Sequence, residues 1–300
     1  VTGMTYDEFS LLPENAEEAG LPWAGPPVIR RQEVPLADGR TLSALVWGAS
    51  PPELVLIHGG AQNAHTWDTV ALALGRPLVA VDLPGHGHSS WRDDARYDPA
   101  TNAEDVAVAV SDLAPSARAV VGMSLGGLTA IALTARQPGL VQKLCLVDVT
   151  PGVNAEKGAA IAAFVNGPES FASFDELLER TVAFNPQRSV SSLRRGVLHN
   201  ALELDDGRWA WRHHFARGMS EGREGAIPWD NAALWEDLSS VKVPLLLVRG
   251  SESPVVDDDD VAELLRRQPT AEVVVVEGSG HSVQGDRPLE LAALIQEFAP

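Results

Sequence analysis

Six short runs of almost wholly apolar residues punctuate the chain, at Leu54–Ile57, Leu78–Val81, Ala119–Val121, Leu144–Val147, Leu245–Val248 and Val273–Val276. A strand with one solvated face alternates apolar and polar residues, so a run that is apolar throughout needs cover on both faces. Helical patterns between the runs supply that cover, over Trp67–Leu74, Ala103–Leu113, Leu125–Arg136, Val261–Arg267 and Leu289–Phe298. Strand and helix in alternation predict an α/β fold on a mostly parallel, doubly wound sheet. Ahead of the runs, Val28–Val34 and Thr41–Trp47 flank the turn Ala37-Asp38-Gly39 as a hairpin, bringing the expected sheet to about eight strands.

The alternation fails once. Between Val147 and Leu245 roughly ninety residues read as several helices broken by Gly and Pro. Residues 151–235 hold 11 Asp and Glu against 9 Lys and Arg, leaving 30 against 14 for the rest of the chain. That change of character predicts a helical cap inserted after strand 6, over the carboxyl edge where open α/β sheets bind ligands. The expected division is an acidic N-terminal surface arm over 1–27 with one short helix, a core from 28–150 and 236–300, and the cap over 151–235.

A net charge of −18 disfavours nucleic acid and anionic membrane surfaces as partners. The one cysteine, Cys145, lies inside an apolar run with no partner for an internal disulfide, which suits a reducing compartment. No basic leader and no stretch of about 18 apolar residues is present. A soluble cytoplasmic protein that handles a small molecule is expected.

Gly122-Met123-Ser124-Leu125-Gly126 lies directly between a strand run and a helical pattern. A G-x-S-x-G so placed holds its serine on a sharp turn, and the positions two residues to either side must be free of side chains. The helix that follows aims its N-terminus at the same point, which favours developing negative charge. His58-Gly59-Gly60 closes an earlier run, and the backbone N–H groups of Gly60 and Leu125 are expected to form an oxyanion hole, with His58 shaping the loop. His281, in Gly278-Ser279-Gly280-His281, follows the last run and is placed to take the Ser124 proton. Acyl transfer by such a set needs no metal and no cofactor.

Other groupings read as structural. His86 and His88 beside Asp82 have a spacing seen at zinc sites, but they occupy a turn after a strand and no further ligand pattern follows. Asp257–Asp260 lack the alternation of a calcium loop and suit a helix start. Trp209, Trp211, Phe215 and Trp229 fit an acyl pocket and a cap core equally well. His213 and His214 read as surface, and Arg188, Arg194, Arg195, Arg208, Arg212 and Arg217 as a solvated helix face rather than a site for an anionic substrate.

Asp82-Leu-Pro-Gly-His-Gly-His-Ser89, the serine turn and the Gly-His loop together resemble the α/β-hydrolase superfamily over about residues 28–150 and 240–298. The stretches His58–Asp68, Val121–Ile131, Leu193–Val197 and Gly280–Gln284 further resemble actinobacterial, mycobacterial-type ester hydrolases. The resemblance implies a serine esterase with Ser124 as nucleophile, His281 as base and Gly60 at an oxyanion position. Thioesterase, lactonase and C–C bond hydrolase share that machinery and stay open, as does a non-catalytic ligand-binding protein on the same scaffold. The superfamily's commonest pattern puts its acid three residues past the glycine after the seventh strand, where this chain has Ser253. Asp148, at the end of the sixth strand, is the expected acid, because some members draw it from there and the order Ser124, Asp148, His281 is kept. Glu252 is the alternative.

Overall fold

The computed structural model describes residues 6–214 and 230–300. Its strands are β1 (Ile29–Pro35), β2 (Thr41–Trp47), β3 (Leu54–Ile57), β4 (Leu78–Val81), β5 (Ala119–Met123), β6 (Leu144–Val147), β7 (Ser170–Phe171), β8 (Ala201–Glu203), β9 (Trp209–Trp211), β10 (Leu245–Gly250) and β11 (Glu272–Val276). Eight of them form one sheet in the order β1-β2-β4-β3-β5-β6-β10-β11. β1 and β2 are antiparallel, β2 is antiparallel to β4, and the strands from β4 to β11 pair in parallel.

Five of the six apolar runs are covered on both sides, as their composition requires, whereas Val273–Val276 lies in the edge strand β11 and leaves Val275 exposed. Along β3, Val55 and Ile57 face one core cluster with the helices Pro99–Leu113 and Leu125–Arg136. Leu54 and Leu56 face a second cluster with the helices Asp68–Leu74 and Pro288–Phe298. Parallel register then brings the strand ends to one edge: Ile57 stands opposite Gly122, Met123 opposite Val147, and Val147 opposite Val248. The residues that follow these strands therefore share one crevice.

Helix starts follow cap chemistry more closely than apolar periodicity. The helix expected from Ala103 begins at Pro99, because the Asp98 side chain accepts from Thr101 N–H at 3.0 Å and proline suits a first helical position. Asp257 and Asp260 form a reciprocal capping box at the helix Asp258–Arg267.

The long interval between β6 and β10 contains the helices Ala159–Val165, Phe174–Phe184 and Val190–Asn200. It also contains an antiparallel sheet, β7-β9-β8, whose strands of two and three residues are too short to show a period in the sequence. A further helix, Asn231–Ser240, straddles residue 235 and inserts Leu234 and Leu238 into the cluster beneath the large sheet.

The N-terminal stretch is more deeply engaged than a surface arm. Its helix Leu12–Glu18 buries Leu12, Asn15 and Ala16. Glu8 pairs with Arg31 of β1, the Tyr6 hydroxyl lies 2.6 Å from His199 Nδ1, and Asn15 accepts from Arg195 at 2.8 Å. One short segment thus touches both the large sheet and the β6–β10 interval.

Candidate active site

Ser124 follows β5 with φ 51° and ψ −121°, a conformation that a residue with a Cβ holds only where its surroundings impose it. Here close packing imposes it. A Cβ on Gly122 would lie 2.4 Å from the Gly126 carbonyl oxygen, and one on Gly126 would lie 2.3 Å from that of Ile57. The Ser124 N–H donates to Val147 O at 3.2 Å, tying the turn to the next strand.

Asp148 follows that strand, fully buried, with φ 50°. Its carboxylate would be costly to bury unbonded, and it is met from several sides. Gly250 N–H donates to Oδ1 at 2.9 Å, while Oδ2 accepts from Ser253 Oγ and lies 2.7 Å from His281 Nδ1. A proton on Nδ1 directed at Asp148 leaves Nε2 of His281 as the basic nitrogen. Glu252 is exposed, its N–H donates to Ser279 O at 2.9 Å, and no hydrogen bond joins its carboxylate to His281 among the described residues. A Cβ on Gly250 would sit 2.2 Å from Gly280 O, so the end of β10 and the histidine loop meet in direct contact.

The loop after β3 is held from both sides by imidazoles. His58 Nδ1 lies 2.7 Å from Gly59 O while its Nε2 accepts from Leu83 N–H at 2.9 Å. His86 Nδ1 lies 2.9 Å from Pro84 O while its Nε2 accepts from Ala61 N–H at 3.0 Å. Asp82 accepts from Ala64 N–H at 2.7 Å and pairs with Arg31. Of the residues whose spacing evokes zinc, His86 and Asp82 thus fix backbone, while His88 is exposed. Gly60 N–H, between these anchors, donates to no acceptor among the described residues. Leu125 opens its helix, where an N–H has no intrahelical acceptor.

A cavity of about 1360 Å³ covers this edge, bordered by Gly60, Ser124, Leu125 and His281 below and by Phe164 and Trp211 across from them. Trp209 packs instead against Phe174, edge to face at 5.0 Å, in a small cluster with Leu177 and Val197. Trp211 both borders the cavity and packs on that cluster through Phe171, whereas Trp209 belongs to the cluster alone, and Phe215 and Trp229 lie outside the described residues.

The surface readings of the nearby basic residues need correction. His213 is buried beside Trp211, with ring centroids 5.9 Å apart, and burial pushes its imidazole down to about 4. His214 stacks on Trp91 at 4.6 Å and meets the Tyr97 hydroxyl at 2.8 Å. Arg195 is buried and donates to Asn15, Ser191 and Glu18, whereas Arg208 stays exposed as expected. Arg217 lies outside the described residues. The contacts of His214 with Trp91 and Tyr97, and of Arg195 with Asn15 and Glu18, join residues far apart in the chain, and local pattern carries no signal for them.

His65, Asp68 and His199 present ligand atoms within 4.8 Å of one another. His65 Nδ1 lies 2.9 Å from Asp68 and its Nε2 3.0 Å from Glu8. Burial works against its charge, but the two carboxylates prevail and push the imidazole up to about 9. Without a metal the three side chains form, with Glu8, a buried network of hydrogen bonds and ion pairs.

Residues 54–294 match the alpha/beta hydrolase family. The chain is 47% identical to the esterase Rv0045c of Mycobacterium tuberculosis over 99% of its own length and 96% of that protein's. A solved structure of that esterase superposes with a TM-score of 0.84 at 46% identity, covering 98% of this chain and 99% of the other. A 3-hydroxybutyrate-oligomer hydrolase of Cupriavidus necator is 29% identical, over 84% of this chain and 90% of its own. Carrying the family's match across most of its length, on a large, mostly parallel sheet of eight strands, the chain belongs to the α/β-hydrolase family.

Proposed function

We propose that the chain is a carboxylic ester hydrolase in which Ser124 is the nucleophile, His281 the general base, Asp148 the orienting acid, and Gly60 and Leu125 the oxyanion donors. The observation that carries this reading is the 2.7 Å contact between His281 Nδ1 and Asp148, set beside a strained serine on the same cavity. The name of the 47% identical relative supports ester hydrolysis as the reaction.

Nε2 of His281 accepts the Ser124 proton as Oγ attacks the ester carbonyl. The negative charge that develops on the carbonyl oxygen falls to the N–H groups of Gly60 and Leu125. Imidazolium, held by Asp148, returns the proton to the departing alcohol and leaves an acyl-enzyme. Water, deprotonated by the same nitrogen, then releases the acid. No metal or cofactor enters any step.

Residues 151–235 serve as the cap, and Trp211 with Phe164 supplies apolar wall for the acyl chain. No helix among the described residues is long and apolar enough to cross a membrane. A cytoplasmic site of action suits the lone Cys145, whose thiol burial pushes up to about 12.

A fluorophosphonate probe tests the assignment. The wild type should label on Ser124 and lose hydrolysis of a chromogenic short-chain ester in step with labelling, and Ser124→Ala should do neither. Labelling elsewhere, or full turnover by Ser124→Ala, refutes it. A ligand-binding protein without a working triad would label poorly.

A further inference from the structure

Two arginines near the start of the helix Val190–Asn200 border the cavity and differ in how their charge is met. Arg195 is neutralised by Glu18 and also donates to Asn15 and Ser191. Arg188 has no such set. Its Nη2 donates to Ser192 Oγ at 2.8 Å, and its nearest carboxylate, Asp286, stands 3.9 Å from Nε, beyond hydrogen-bond reach. That Nε is shielded from solvent and has no hydrogen-bond partner among the described residues, its contact with Asp286 being a long ion pair, while the side chain as a whole is 26% exposed.

The guanidinium lies against Gly285, four residues past His281, where a Cβ would come within 2.7 Å of Arg188 Cζ. Asp286, beside it, is already engaged, accepting from Gly280 N–H through Oδ2 at 3.0 Å. Burial accordingly lowers the arginine's hold on its proton. A guanidinium offers five donors in a planar fork and is costly to withdraw from water without an anion to meet it. Its natural complement is a carboxylate, taken bidentately. Glu18, Glu252, Asp286 and Glu290 also border the cavity, against Lys157, Arg195 and Arg287, so the remaining lining carries no large excess of positive charge for a multiply charged group.

We propose that Arg188 is a specificity residue that binds a carboxylate on the substrate, so that the enzyme prefers half-esters of dicarboxylic acids to neutral esters of equal length. The proposal rests on the esterase reading above and names its substrate class.

The test compares p-nitrophenyl half-esters of succinate, adipate and suberate with p-nitrophenyl esters of the matching monocarboxylic acids. At the best chain length the wild-type kcat/KM should favour the half-ester by about ten-fold or more, the range of a charge-assisted hydrogen bond. Arg188→Gln should bring the ratio towards unity, chiefly through KM, and Arg188→Lys should restore part of it. The free diacid should inhibit wild-type hydrolysis of the neutral ester competitively, and the monocarboxylate of equal length much less. This measurement needs no variant.

A wild-type ratio at or below unity, a ratio that survives Arg188→Gln, or equal inhibition by the two acids overturns the proposal and leaves the esterase reading standing. Failure of the wild type to hydrolyse either ester class, or hydrolysis that survives Ser124→Ala, strikes the esterase reading itself, and the proposal falls with it.

Discussion

Ser253 Oγ and His281 Nδ1 converge on a single oxygen, Oδ2 of Asp148. The position at which the superfamily's commonest pattern carries its acid thus supplies a donor to an acid that stands on the neighbouring strand. The serine and the Gly250 N–H fix the carboxylate's orientation before the histidine meets it.

Asp148→Asn should lower kcat by about three to four orders of magnitude with folding intact, because an amide no longer holds the imidazolium or its tautomer. Ser253→Ala removes one hydrogen bond to a charged group and should cost roughly ten-fold. Glu252→Gln should stay within about two-fold of wild type, as expected of a surface substitution. Steady-state kinetics on one chromogenic ester, with circular dichroism as a folding control, check all three. The opposite ranking of Asp148→Asn and Glu252→Gln would return the acid to Glu252.

Trp211→Ala should change relative kcat/KM across a series of acyl lengths, because its ring borders the cavity beside Phe164. Trp209→Ala should instead reduce stability by about 2 kcal/mol, a truncation cost scaled down for a half-buried ring, and leave the acyl-length profile unchanged. Urea titration together with the ester series separates the two.

Gly126→Ala places a methyl group 2.3 Å from Ile57 O and 2.4 Å from His58 O. Backbone cannot yield there without moving Ser124. A loss of about 3 kcal/mol is expected, read from the urea midpoint, and whatever protein folds should hydrolyse esters poorly.

The pH dependence of stability should carry the mark of the Glu8–His65 contact. Burial raises the Glu8 carboxyl, but hydrogen bonds from His65 and Arg31 prevail and bring it from 4.5 to about 2, so its contribution is complete above about 4.5 and fades towards 2. His65 is raised from 6.5 to about 9, so its contribution is complete below about 6.5 and is lost as the pH rises through 9. Both are in full force between about pH 4.5 and 6.5. In Glu8→Gln, melting temperature followed against pH should lose part of its acid-side fall and part of its alkaline one. An unchanged profile would show that the contact carries no stability.

The sheet and the nucleophile turn are legible in the sequence because the forces that set them are local. Full burial writes an apolar run for β3 or β5, and two close backbone approaches demand Gly122 and Gly126. Asp148 is legible only by comparison with Glu252 and Ser253, since the choice depends on which loop end reaches His281. The burial of His213 and Arg195, and the anchoring of the N-terminal stretch, rest on pairs such as Asn15–Arg195 that are 180 residues apart. Composition records no trace of such a pair. The strands β7, β8 and β9 are too brief for a period of two to rise above chance.

The N-terminal stretch behaves as a buckle across a seam. Glu8 is fastened to Arg31 on the sheet, while Tyr6, Asn15 and Glu18 are fastened to His199 and Arg195 on the far side of the crevice. Any movement that parts those two sides must undo the contacts of His199 with Tyr6 and of Arg195 with Asn15 and Glu18. Substitutions at Tyr6, Glu8, Asn15 or Glu18 should therefore alter how readily the crevice beside Ser124 opens, although none of the four follows a strand end at that edge.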